Sequence, residues 1–160
     1  MQFLEIEHAF SFTDGLLSKL QKEGFDTAEL EMHFVRSIVT LIVSEYEVFI
    51  EDIFNERATQ CEDTEIINFV NVTISRVFRS PEICKISDNL KKLSDDIKNK
   101  FCNKNRDISY IAQNEWDNIM KARHAIVHKS GILQMTYSEL KKSYIKSLEI
   151  INNLIEVLKV

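Results

Sequence analysis

VRSIVTLIVSEYEVFIEDIF, residues 35–54, decides the fold class. Val35, Ile38, Ile42, Tyr46, Phe49 and Ile53 recur at steps of three and four, which gathers them on one face of an α-helix instead of alternating them across a strand. A second row, Val39, Val43, Ile50 and Phe54, runs beside the first, and Glu47 occupies its middle step. The segment predicts a long helix over about 27–60 whose apolar stripe faces other helices, with one carboxylate where an aliphatic is expected.

The rest of the chain reads the same way. A first helix is expected over about 2–22, stopping near Gly24. Another, over about 108–129, carries Trp116, Ile119, Met120, Ile126 and Val127 and ends in Lys129, Ser130 and Gly131, a basic last turn followed by a cap. TYSE, residues 136–139, offers a capping box between Thr136 and Glu139. Tyr137, Leu140, Tyr144, Leu148, Ile151, Ile155 and Leu158 then keep helical spacing to the end of the chain.

Between these, SPE at 80–82 predicts a helix with Ser80 as cap and Pro81 in the first helical position, running to about Cys102. CNKNRDIS, residues 102–109, reads as a loop, and 63–78 as a short helix or an irregular connector. The expectation is an all-α protein, an antiparallel four- to five-helix bundle forming a single domain over residues 1–160.

Composition narrows the function classes. Three glycines and one proline leave few hairpin turns. With Gly only at 15, 24 and 131, no phosphate-binding loop, dinucleotide fingerprint or nucleophile elbow is present. Cys61, Cys84 and Cys102 are odd in number and unpaired by spacing, which predicts neither disulfides nor a zinc knuckle and fits a cytoplasmic protein. No membrane span or signal peptide is expected, because apolar runs are short and the first residues carry acids. The net charge of −5 conceals an asymmetry: residues 1–65 hold 15 acidic against 4 basic side chains, so the remainder is net basic. A local basic cleft for phosphate is compatible with that division, as is a homo-oligomeric partner; a uniform nucleic-acid coat is not.

The charges inside the apolar stripes carry the chemistry. Arg123 follows Ile119 by four residues and precedes Val127 by four, so it projects from the middle of that stripe. A guanidinium there must be paired, line a cavity or sit at a subunit interface. Glu47 is the matching intrusion on the other helix, and a buried Arg123–Glu47 salt bridge is one reading of both. His128, five residues after Arg123, opens another. A permanent, forked cation and an imidazole that titrates near neutrality suffice for metal-free RNA cleavage, in which the ribose 2′-hydroxyl attacks its own phosphodiester. His124 and His128, four apart, could ligate zinc, but Ala125 stands where the metalloprotease pattern needs Glu, and no metal site is expected. His8 and His33 read as isolated polar residues, and Trp116 as core.

These residues carry a resemblance. RHAIVH, residues 123–128, fits the R-x(4–6)-H signature of the HEPN superfamily, with a polar residue directly after the arginine. WDNIMKARHAIVHKSG (116–131) is similar to the motif helix of that superfamily, and VSEYEVFIEDIF (43–54) resembles its earlier helix, where a glutamate such as Glu47 faces the motif. The resemblance implies a helical bundle that dimerises so that two motifs form a composite ribonuclease site without metal or cofactor. It assigns Arg123 to the phosphate, His128 to proton transfer, His124 to polar support and Glu47 to orienting or neutralising Arg123. Lys121 and Lys129 are expected to steer the RNA backbone. It also implies a toxin or anti-phage effector with an antitoxin of nucleotidyltransferase fold. The other readings are a non-catalytic interaction module, with Arg123 and Glu47 as a structural ion pair, and a nucleotide-binding module.

Overall fold

The computed structural model describes residues 3–77, 81–108, 110–128 and 133–159. Among them are seven helices and no strand: α1 (Leu4–Lys22), α2 (Ala28–Thr59), α3 (Thr64–Val77), α4 (Ile83–Leu93), α5 (Asp95–Ile108), α6 (Tyr110–His128) and α7 (Tyr137–Leu158). None is long and apolar enough to cross a membrane.

Local chemistry explains most of the boundaries. Gly24 takes φ +85° after α1, and the Phe25 N–H closes back on the Leu20 carbonyl at 3.1 Å, a turn that a side chain would strain. The Asp26 carboxylate accepts the Ala28 N–H at the start of α2, and Asp63 accepts those of Glu65 and Ile66 at the start of α3. At α7 the expected capping box forms: Thr136 Oγ1 accepts the Glu139 N–H at 3.2 Å and Glu139 Oε2 accepts the Thr136 N–H at 2.8 Å.

Three boundaries correct the sequence reading. Pro81 lies outside α4, which begins at Ile83 after an extended Glu82 (ψ 138°). The Pro81 carbonyl accepts the Trp116 Nε1–H at 2.9 Å, and this tertiary bond holds the chain extended where a helix was expected. Ser80 is outside the described residues, as are Ser109 and the expected cap at Lys129, Ser130 and Gly131. The polar helix expected to reach Cys102 breaks at an extended Ser94, whose hydroxyl accepts the Asp96 N–H at 3.1 Å and so starts α5, with Asp95 and Asp96 at its positive end. The expected loop at 102–109 is helical through Ile108. Phe101 and Asn105, four apart, are both buried, and Asn153 of α7 donates to Asn105 Oδ1 at 2.7 Å. Burial of that face outweighs the low helix propensity of Asn. The ambiguous 63–78 stretch forms α3.

Phe3 packs on Tyr46 and Phe49, and Phe12 on Phe34, so α1 runs antiparallel to α2. Glu115 meets Ser143 while Ala125 shares a groove with Leu133 and Met135, so α6 and α7 are likewise antiparallel. α7 lies parallel to α2: Glu31 receives the Tyr137 N–H, Tyr46 meets Ser147, and Gln60 donates to the Lys159 carbonyl. The α4–α5 pair covers this body through contacts of α5 with α6 and α7.

The centre is aromatic. Tyr46 and Trp116, both fully buried, stack with centroids 4.8 Å apart and planes 14° from parallel. Tyr46 Oη shares a 2.6 Å hydrogen bond with Ser147 Oγ, so α2, α6 and α7 meet at one point. Trp116→Ala should lower unfolding stability by about 3–5 kcal/mol, because it empties that centre and orphans the Pro81 carbonyl. Urea unfolding followed by circular dichroism measures the loss.

Candidate active site

Ala112, Trp116, Ile119 and Ala122 form the buried edge of α6. Past Ala122 the edge opens: Arg123 is half-buried, Ile126 is partly buried, and His124, Val127 and His128 are exposed. Val127, which the spacing placed on the apolar stripe, is 51% exposed, while Ile126 beside it still packs against the core. Arg123 therefore sits, half-buried, where the apolar stripe gives way to solvent.

The Arg123–Glu47 salt bridge, one of the readings open from the sequence, does not form as a contact among the described residues: no carboxylate lies within 4 Å of the guanidinium. The two charges nevertheless act on each other. Burial pushes the half-buried Glu47 carboxyl above its ordinary range, while Arg123 and Lys85 pull it down without overcoming that. Glu47 Oε1 is cut off from solvent and has no hydrogen-bond partner. Its attraction to Arg123 thus acts through space instead of by contact, which leaves the guanidinium nitrogens uncommitted within the described chain.

His124 and His128 come together one turn apart, rings 4.2 Å between centroids and tilted by 45°. Arg123 and His128 do not. Five residues separate them, about 140° around the helix, and no contact joins them within the described chain. Lys121 is exposed on the His124 side of α6. Lys129 is outside the described residues. His8 and His33 are exposed on α1 and α2. Among the described residues, no three His, Cys, Asp or Glu side chains are grouped to hold a metal ion.

Two grooves flank α6. One, of about 480 Å³, lies between α6 and α7 and includes Glu115, Lys121, Ala125, Met135 and Lys142. Burial raises the Glu115 carboxyl, but bonds from Ser143 at 2.7 Å and from Lys142 and Asn118 outweigh it, so the group stays ionised and structurally committed. The other, of about 470 Å³, lies between the start of α4 and α6, with Glu82, Ile83, Gln113, Asp117, Met120, Lys121 and His124 in its walls. Sequence reasoning missed Lys85, Gln113 and Asp117. Gln113 and Asp117 were visible as members of the series 113, 117, 120, 121, 124 and 128, which shares one helical face.

Chemically, this end of α6 offers a cation without a contact partner, two touching imidazoles and access from solvent. A model of the family described as RiboL-PSP-HEPN matches residues 9–160. No curated protein and no solved structure matches the chain.

The state of Glu47 gives a pH signature. A carboxyl raised by folding favours its neutral form, so its contribution to stability is present below the ordinary carboxylate range and is lost as pH rises through the folded value. Glu47→Gln cannot ionise and avoids that loss. The variant should melt a few degrees above the parent at pH 7–8, with the gap closing below about pH 4. Scanning calorimetry across pH tests this; a lower melting point at neutral pH would mean that the attraction to Arg123 wins over burial.

Proposed function

The chain belongs to the RiboL-PSP-HEPN family, and on that premise we propose that it is a metal-independent endoribonuclease whose cleavage site is assembled from two copies of α6. The observation that carries this reading is Arg123: a guanidinium set in an apolar stripe and left without an ion pair, on the helix that also carries two exposed imidazoles.

The reaction has modest needs. A base takes the proton of the ribose 2′-hydroxyl, the 2′-oxygen bonds to phosphorus, and the P–O5′ bond breaks as that oxygen receives a proton. The products are a 2′,3′-cyclic phosphate and a 5′-hydroxyl, with no added water or metal. Arg123 supplies forked charge to the non-bridging oxygens as negative charge grows on them. His128 moves the proton, and His124, against the His128 ring, limits where that ring can swing. Because one helix directs Arg123 and His128 about 140° apart, a single copy does not close on one phosphate. In a homodimer, Arg123 of one chain faces His128 of the other. Glu47 draws Arg123 toward α2 without capping it, and Lys121 attracts the RNA backbone. The reading carries with it the setting of a cytoplasmic toxin or anti-phage effector, held in check by an antitoxin partner of nucleotidyltransferase fold. The lack of Arg123–Glu47 contact weighs against a purely structural ion pair.

Purified protein should cut RNA in excess EDTA and leave cyclic-phosphate ends. His128→Ala should cost about 10²–10⁴-fold in rate while circular dichroism stays unchanged. Arg123→Ala should be comparably inactive, and mixing the two inactive variants should restore part of the activity, since each supplies what the other lacks. Cleavage abolished by EDTA, or indifferent to His128→Ala, overturns the proposal.

A further inference from the structure

The groove between the start of α4 and α6 belongs to no step of cleavage, yet it is continuous with the histidines. Gln113, Asp117, Lys121 and His124 lie on one face of α6 and in one groove, and His124 touches His128. Asp117 stands eleven residues before His128, about 16 Å along the helix axis. That separation suits the nucleotides flanking a scissile bond, not the bond itself.

The groove's charge selects what enters. Glu82 and Asp117 contribute two carboxylates against Lys121, and the neighbouring Lys85 lies 3.4 Å from Glu82. The two carboxylates and two ammoniums balance, so the groove offers a phosphate no net attraction. An uncharged base needs none: Ile83 and Met120 offer apolar walls for its faces. Gln113 is fixed by its 2.7 Å bond from Nε2 to the Asn105 carbonyl, and its amide oxygen has no partner among the described residues. Asp117 receives no hydrogen bond or ion pair there either. Asp117 is exposed at the groove's rim, and partial loss of its hydration, together with Glu82, pushes its carboxyl up against the pull of Lys121. The groove therefore offers two open acceptors, Gln113 Oε1 and the Asp117 carboxylate, along an apolar wall, with Lys121 as its cation.

We propose that this groove is a base-recognition subsite in which Asp117 accepts from the exocyclic amino group of an unpaired base flanking the cleavage point; the inference rests on the ribonuclease reading. Sequence-specific RNA recognition works on unstacked bases through their edges. Cytosine presents an N4 amino donor to a carboxylate, whereas uracil presents O4, an acceptor that Asp117 repels. The subsite consequently prefers cytosine over uracil.

Full-length His128→Ala protein, which holds RNA without cutting it, is titrated by fluorescence anisotropy with labelled oligocytidylate and oligouridylate. Binding of the cytosine strand about tenfold tighter is expected, and Asp117→Asn should bring the two affinities to within about twofold. Asp117→Ala, which deletes the carboxylate without adding a donor, is the second variant should the first unfold. Equal affinities, or a preference that survives both substitutions, overturn the subsite. The two claims fail separately. Cleavage by the wild-type chain without base preference removes the subsite alone, an Asp117-dependent preference in a chain that never cuts removes the nuclease alone, and absence of RNA binding removes both.

Discussion

The stack of Tyr46 on Trp116 sets the geometry of everything near the candidate site. It joins α2 to α6, the Tyr46 hydroxyl carries the link to Ser147 of α7, and the indole N–H extends it to Pro81 ahead of α4. Four segments are thereby fixed by two side chains. Burial pushes the Tyr46 phenol far up, so it remains a neutral donor or acceptor throughout the working pH range. Glu47 is the residue after Tyr46, and Arg123 lies two helical turns beyond Trp116. The opposed charges are held at a fixed offset by the aromatic pair, and that offset leaves them interacting yet out of contact.

How much of this could be read in the residues depends on whether the signal was local. The α2 stripe and the Thr136–Glu139 box are properties of consecutive residues, and both stand as the sequence predicts. The helix through residues 102–108 was not legible, because what makes it helical is the burial of Phe101 and Asn105 against α7, a partner about fifty residues away. Pro81 was misplaced for the same reason, its carbonyl being claimed by Trp116. The break at Ser94 was legible and overlooked: a serine followed by two aspartates is a helix start even inside a polar helix.

At the candidate site, the sequence placed Arg123 and Glu47 as opposing intrusions but could not fix their separation. That separation follows from the crossing of α2 and α6, not from spacing along either. It matters energetically. A contact pair would neutralise the guanidinium; a pair coupled at a distance costs stability through the partly buried Glu47 and keeps Arg123 able to bind an outside anion. Local destabilisation of this kind is what a functional site imposes on a fold that could bury an aliphatic instead.

Beyond Ala122, α6 keeps Ile126 against the core yet exposes three other side chains. Val127 and both histidines are exposed on the last turn, and Arg123 emerges at its edge. A bundle serving only its own stability would end the helix with the core or cover the turn. An exposed apolar residue amid His124, Arg123 and His128 gives a surface with both adhesive and reactive parts. Under the proposed reading, a second copy approaching this turn buries Val127 as it brings its own Arg123 opposite His128. Association and completion of the site would then be one event, and the isolated chain, with its two reactive groups turned apart on a single helix, would be inactive by geometry.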